Sequence, residues 1–517
     1  MRHPLGWSPT GAWRSVKRDP VTWALAAIVL LGALMRLYFL IRWHPALIGY
    51  SDSANYMLAA QGSLFGDPVR VAGYVLLLRL LHLIWPHLIL VTITQHLLGI
   101  ASGLLLFDAV RRAKAPRGLG LVPAAVVILG GSELLLEHTI LTDTLFIFLT
   151  DLGLWCVVRT WRGSRWWALA AGLSFGASTV ERTVGLELLP FALACLCIAP
   201  AGEIGGRVEL APRWGRRVAK AAKVDRLLTE HAVACWRAGA LSAGVAGALL
   251  VIVPFLAAHE ASTGVFNFTS EGNLQLYGRV APWADCTKFT PPPGTANLCI
   301  EQPVSQRPGS QVWEFSASSP VTRVYDQALQ PGENAKLGAF AEAAIEGQPL
   351  TYLKYVARDL VRVVDPSSSE SPNPAVGNQG AGYSPAGNVS FYFNPVTSAG
   401  AENIVKSYYR SSALRAGNVN VLRSWERDTR LEGPAMALVL LLALLAPLLA
   451  TGLPRRLAIL LAVTSFVLIV GPILVLEYDY RFMIPAFGPL TACAAIGAYE
   501  LSRRAGALAR RREQAQR

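Results

Sequence analysis

Gly49-Tyr50-Ser51-Asp52-Ser53-Ala54-Asn55-Tyr56 begins a few residues after an apolar run, Val21 to Arg42, that is long enough to cross a bilayer. One carboxylate, Asp52, therefore stands where the chain has just left a membrane. Taken alone, an acid in such a loop is as readily a turn residue or a helix N-cap as a reactive group. The rest of the chain decides its reading.

The 517 residues are 53% hydrophobic and 16% charged, with a mean hydropathy of +0.38. A soluble chain of this length needs far more polar surface, so the composition excludes a cytosolic globular enzyme. The net charge of +13 falls in particular loops and points to membrane orientation, with no nucleic-acid partner. Arg14, Lys17 and Arg18 precede the first run, which is too long for a signal peptide and reads as an uncleaved anchor with its N-terminus inside.

From there the apolar runs alternate. The segments 87–107, 119–136, 144–158, 166–179, 184–199, 240–258, 434–450, 457–476 and 483–501 follow the first, giving about ten spans with both ends inside. Basic clusters fall on the inner side: Arg111, Arg112, Lys114 and Arg117, then Arg159, Arg162 and Arg165, then the loop 200–238, then Arg455 and Arg456, then Arg503 to Arg512. Val71 to Trp85 is apolar but short and holds Arg79 and His82, so it reads as an interfacial helix. The fold class is an α-helical polytopic membrane protein with a mixed extracytoplasmic loop region. Three parts are expected: a transmembrane core over 1–259, the loop region 260–433, and C-terminal spans with a basic tail over 434–517.

Within 260–433, the segments 333–346 and 350–364 have helical periodicity, separated by Gly347-Gln348-Pro349, and 404–430 is helix-prone. Pro291 to Gly294 and 367–394 are turn-rich. The modest apolar content predicts a lid that packs on the membrane part without a large core of its own. Cys286 and Cys299 share this outer region, where disulfides persist, and are expected to pair. Cys156, Cys195, Cys197 and Cys493 read as packing residues, and no Cys/His spacing resembles a zinc site.

This topology brings four charged clusters to the outer boundary: Asp52; Glu137, His138 and Asp143; Glu181 and Arg182; Glu477, Asp479 and Arg481. Each alone reads as an ordinary interfacial group. Four on one side suggest a shared cavity, with carboxylates beside guanidiniums for an anionic ligand that also exchanges a proton.

Five stretches carry a resemblance. Asp52-Ser53-Ala54-Asn55-Tyr56 with Ala59, Ala60 and Gly62 is similar to the first external loop of GT-C glycosyltransferases that use polyprenyl-phosphate sugars, such as the mannosyltransferase and aminoarabinose transferase group. Gly73-Tyr74-Val75 resembles the start of the helix that follows that loop, and Leu141-Thr142-Asp143-Thr144 the family's second acidic motif. Glu181-Arg182-Thr183-Val184-Gly185 with Pro190, and Tyr480-Arg481-Phe482-Met483-Ile484-Pro485, resemble its basic segment and the opening of its last span. Residues 260–433 match no family.

The resemblance implies an inverting transfer of a sugar, mannose or arabinofuranose being the examples, from a polyprenyl-phosphate donor to a glycan, lipid or protein acceptor at the outer face of the cell membrane. It implies Asp52 as catalytic base and Asp143 as a second catalytic acid that orients acceptor or arginine. It assigns donor or acceptor contacts to Arg481, Arg182, Glu181, His138 and Tyr56. Ser53 replaces the second acid of the usual pair, so the default is no metal and no other cofactor, with a divalent cation left open. The competing readings are a transporter or flippase of a lipid-linked sugar and a non-catalytic scaffold of the same fold.

Overall fold

The computed structural model describes residues 19–48, 51–162, 164–198, 222–316, 319–324, 329–365, 399–410, 415–416 and 420–517. The basic N-terminal flank, most of the loop 200–238 and the turn-rich stretch 367–394 lie outside the described residues.

Among the described residues, six helices are long and apolar enough to cross a bilayer: Pro20–Arg42, Leu88–Arg112, Asp143–Trp161, Ala234–Thr263, Gly452–Val475 and Tyr480–Gln516. Two further crossings are bent by 46° each, Arg117–Leu129 with Gly131–His138 and Asn420–Thr429 with Gly433–Leu449, which makes up to eight. The remaining two expected spans form helices of 16 and 13 residues, Trp166–Glu181 and Val184–Leu196. At 1.5 Å per residue these reach about 24 and 20 Å, short of a roughly 30 Å hydrocarbon layer. The expected interfacial helix is present as Gly73–Ile84. It buries Tyr74, Val75 and Leu78 and exposes Leu76, Leu80, Leu83 and Ile84, the pattern of a helix lying along a boundary.

The first helix starts where the sequence says it should. Asp19 accepts from Val21 N at 3.1 Å and from Thr22 Oγ1 at 2.8 Å, with Pro20 at the first position. Its leucines, Leu30, Leu31, Leu34 and Leu37, point outward, so it lies at the rim. The last helix is the centre: its apolar window is 83% buried. Trp166–Glu181 meets Ala234–Thr263 so closely that a Cβ on Gly172 would fall 1.9 Å from the Gly244 carbonyl. Only glycine permits that approach, as in small-residue membrane helix pairs.

The helix ends sort by charge. At one end Arg111 and Arg112 pair with Asp108, Arg159 stacks on Trp167, Arg117 meets Asp19 at 2.7 Å, and Arg504 caps Leu449 O. At the other end sit Asp52, Asp143, Arg182, Arg481 and the polar insert between the two membrane parts.

The insert differs from expectation. Helices Gly272–Val280 and Pro331–Gly347 enclose an apolar core of their own, including Tyr277, Trp283, Leu298, Leu337 and Phe340. A few large aromatics thus supply a core that overall composition understated. The Cys286–Cys299 disulfide is formed as expected. The insert also leans on the bundle, as expected: Tyr352 OH donates to Leu474 O at 3.0 Å and Tyr408 OH to Ala60 O at 3.1 Å. The expected helices at 333–346 and 350–364 are Pro331–Gly347 and Pro349–Arg362. The stretch 404–430 is two helices, Ala399–Ser407 and Asn420–Thr429, with a strand pair between them that joins Arg415-Ala416 to Trp43-His44.

Candidate active site

The site is built from helix starts. Asp52 lies in the first turn of Ser51–Gln61 and Asp143 opens the helix Asp143–Arg162. Free backbone N–H groups and the helix dipole favour negative charge at both places. Arg481 lies in the first turn of the central helix, where a cation gains nothing from the dipole. Asp479 caps that helix, accepting from Arg481 N at 2.8 Å. Arg182 stands in the two-residue break between Trp166–Glu181 and Val184–Leu196.

Arg481 joins the two acids. Its Nη1 lies 3.2 Å from Asp52 Oδ2 and its Nη2 2.7 Å from Asp143 Oδ2, with Nε 3.2 Å from the same oxygen. Arg182 pairs with the other Asp143 oxygen and holds its charge over the Phe482 ring at 5.3 Å. Both Asp143 oxygens are therefore occupied and its side chain is fully buried. Asp52 keeps a quarter of its side-chain surface exposed. Burial pushes the Asp52 carboxyl up, but Arg481 and Arg70 outweigh it and hold it below the usual carboxylate range.

Sequence reading missed Arg70. Its Nη2 lies 2.5 Å from Asp52 Oδ1, its Nη1 2.9 Å from Asp67, and its charge sits 5.9 Å over the Tyr56 ring. The i,i+3 spacing of Asp67 and Arg70 was the available signal. Tyr56 packs edge-on against Tyr74 at 5.1 Å and reaches the site with its ring.

These groups wall a cavity of about 880 Å³. Asp52, Tyr56, Arg70, Glu181, Arg182 and Arg481 line it from the bundle side. Glu181 accepts from Thr142 Oγ1 at 2.9 Å. From the insert come Glu271 and Glu314, which sequence did not bring to the site, and from the loop before the central helix Glu477, which it placed among the boundary clusters. Desolvation pushes Glu271 up to about 8, with Asp52 adding to it, and Glu477 up to about 7; Glu314 is held well above its ordinary value by burial and by Glu271 and Glu477. These upward shifts favour the neutral acids, so the three carboxyls offset the three arginines less than exposed carboxylates would.

His138 does not belong to this group. Expected among the substrate contacts, it is instead fully buried, stacked on Phe39 at 4.0 Å, bonded to His96 at 3.0 Å and to Trp43 O at 2.8 Å. It ends a buried chain in which Glu137 takes Arg36 through two bonds, 2.7 and 2.6 Å, and His96 at 2.8 Å. A buried charge on the first helix needs such a partner, and Glu137 supplies it to Arg36. Ser53 is fully buried and does not line the cavity. Among the described residues, no group of three or more His, Cys, Asp or Glu has a metal-holding arrangement.

No protein-family model matches the sequence, and no curated protein does. Among solved structures, the chain is similar to the archaeal oligosaccharyltransferase AglB from Archaeoglobus fulgidus, determined in complex with an inhibitory peptide and a dolichol-phosphate. The two are 13% identical with a TM-score of 0.38, over 95% of this chain and 52% of that one. The chain thus spans about half the length of that protein, and a likeness so distant assigns neither residues nor activity.

Proposed function

We propose that this chain is a membrane glycosyltransferase of the GT-C kind, moving a sugar from a polyprenyl-phosphate donor to a cell-envelope acceptor on the extracytoplasmic face. One observation carries the reading: a partly exposed carboxylate, Asp52, shares its guanidinium partner Arg481 with a fully buried one, Asp143, at the wall of a cavity large enough for a sugar. The outward orientation rests on the sorting of charge, with the basic helix ends opposite the cavity.

The chemistry follows from the groups present. An acceptor hydroxyl oxygen attacks the anomeric carbon, the bond from that carbon to the phosphate oxygen breaks, and the phosphate leaves with the electron pair. Asp52 takes the hydroxyl proton. Negative charge grows on the leaving phosphate, where Arg481 and Arg182 supply fixed positive charge. In the resting site Asp52 is a weak base because Arg481 and Arg70 hold it. A phosphate that draws Arg481 away from Asp52 frees one carboxylate oxygen and raises its basicity, so donor binding prepares the base. Asp143, locked between two arginines, positions them and is not free to accept a proton. Gly73–Ile84 offers a surface for the isoprenoid tail.

The test is transfer by the purified protein in nanodiscs, supplied with radiolabelled polyprenyl-phosphate mannose or arabinofuranose and an envelope extract as acceptor. Transfer that Asp52→Asn abolishes supports the reading. Movement of intact donor across the bilayer without transfer, unchanged by Asp52→Asn, would replace it with a flippase. Orientation is read separately, by labelling Glu342→Cys and Gly215→Cys in a background lacking Cys235. The first should react from outside and the second only from inside.

A further inference from the structure

A second cavity, of about 1140 Å³, lies beside the first. It exceeds the roughly 300–1,000 Å³ of pockets that hold one drug-sized molecule. Five arginines line it: Arg279, Arg307, Arg323, Arg358 and Arg362. The carboxylates on its wall are Glu301 and Glu477, and Glu477 is drawn toward neutrality by burial.

Positive charge is in excess on this wall. Asp359 is the carboxylate behind three of the arginines, at 2.6 Å from Arg279, 3.7 Å from Arg358 and 3.8 Å from Arg362. Arg307 gives its hydrogen bonds to the carbonyls of Ala281, Ala284, Ile300 and Gln302, which hold the guanidinium without neutralising it. Arg279 is only 2% exposed, yet its Nε and Nη2 find no acceptor among the described residues. Buried donors left in that state are destabilising. An oxyanion in the cavity would satisfy them.

Aromatic rings back two of the guanidiniums. Arg358 lies 4.3 Å over Tyr355 and Arg362 4.8 Å over Tyr478, with Trp313 on the same lining. A wall of guanidiniums held in place this way suits oxyanions, while an isoprenoid chain, which needs an apolar groove, does not fit it. The two cavities share Val312, Ser316 and Glu477 as lining residues. The partition between them is thin, and Ser310 N closes it by donating to Glu477 Oε2 at 3.2 Å.

We propose that this second cavity binds an acidic saccharide chain, carrying carboxylate or phosphate groups, and presents it as acceptor to the Asp52 cavity next door. The binding half stands on the arginine cavity alone; the word acceptor rests on the transfer reading above.

The experiment uses the full chain in nanodiscs and measures binding of fluorescent hexagalacturonate, with phosphorylated mannohexaose as a second acidic probe and maltohexaose as the neutral control at matched ionic strength. At least one acidic probe should bind, and the neutral one at least about tenfold more weakly, the scale of one charge-assisted contact. Arg323→Gln with Arg358→Gln, both on exposed side chains, should weaken the acidic probe by a similar factor, and Asp52→Asn should leave its affinity unchanged. Which acidic probe binds identifies the oxyanion. Equal binding of the neutral probe, no binding of either acidic one, or indifference to the double substitution overturns the proposal. Because these are binding readouts, the site can fail while transfer stands, and transfer can fail while the site stands.

Discussion

Arg481 reaches Asp52 across 429 positions of sequence, its Nη1 3.2 Å from the carboxylate oxygen Oδ2. The start of the last membrane helix and the loop after the first are thereby one chemical unit. What each partner does for the other can be separated by substitution.

Asp52→Asn keeps shape and removes basicity. Turnover should fall about 10²-fold or more, the usual scale for a general base, while donor binding survives. Arg481→Lys keeps the charge but loses the fork that spans two acids, so donor KM should rise while the chain still folds. Arg481→Ala additionally strands part of the buried Asp143, and breaking such a pair costs about 3–5 kcal/mol. Steady-state kinetics with a thermal melt on each variant distinguishes the three outcomes. A near wild-type rate for Asp52→Asn would make Asp52 structural.

Arg70 lowers the Asp52 carboxyl together with Arg481. The proton-accepting form is the ionised one, so kcat/KM should fall as pH drops through the Asp52 pKa. Arg70→Gln removes a lowering charge, so that acid limb should move to higher pH. A pH–rate profile that does not move would mean that Asp52 is not the group being titrated.

Much of this site was legible in the sequence because its members stand at helix starts, where chain direction and charge can be read together. Asp52, Asp143, Arg182 and Arg481 all follow from where apolar runs begin and end. Arg70, Glu271 and Glu314 were not legible, because they come from a loop and from an insert whose folding back over the bundle is set by tertiary contacts such as Tyr352 to Leu474 O. His138 was misplaced for a related reason. Its position near Asp143 in sequence suggested the cavity, but Arg36, hidden in an apolar run, demands Glu137, and the helix Gly131–His138 turns both inward.

That reassignment is testable. His138→Gln should lower thermal stability through loss of the His96 and Trp43 contacts, by about 1–3 kcal/mol, while leaving donor KM near wild type. Glu137→Gln should cost more, about 3–5 kcal/mol, because Arg36 would lose its charged partner in the buried bundle. A selective rise in donor KM for His138→Gln with unchanged stability would return His138 to the substrate site.

The disulfide offers a stability test independent of the site. Cys286 and Cys299 are 13 positions apart in a loop that carries part of the insert core. Closing a loop of that size restricts the unfolded chain by about 3 kcal/mol in the chain-entropy model. Cys286→Ser with Cys299→Ser should therefore lower the insert's stability, read as faster limited proteolysis within 260–365 and an earlier thermal transition. Alkylation mapping of protein purified without reductant should find both thiols blocked.

Glu271 gives a pH dependence with a definite sign. Its ordinary value is 4.5 and in the folded chain it is pushed up to about 8 by desolvation, with the Asp52 charge adding to it. Between those values the folded state binds more protons than the unfolded one, so stability is greatest below the lower value and declines as pH rises toward the upper. Glu477, pushed up to about 7, contributes in the same sense over a narrower window. Glu271→Gln fixes the neutral form in both states and removes its share of the slope. Against wild type, the variant should gain in melting temperature from pH 5 to pH 8, by about 2 °C or more at the upper end. The direction separates this effect from simple loss of a contact, which would lower the melt at every pH. A constant difference between the two melting curves across that range would show that Glu271 titrates like a solvent-exposed carboxyl and does not face the Asp52 cavity as a neutral acid.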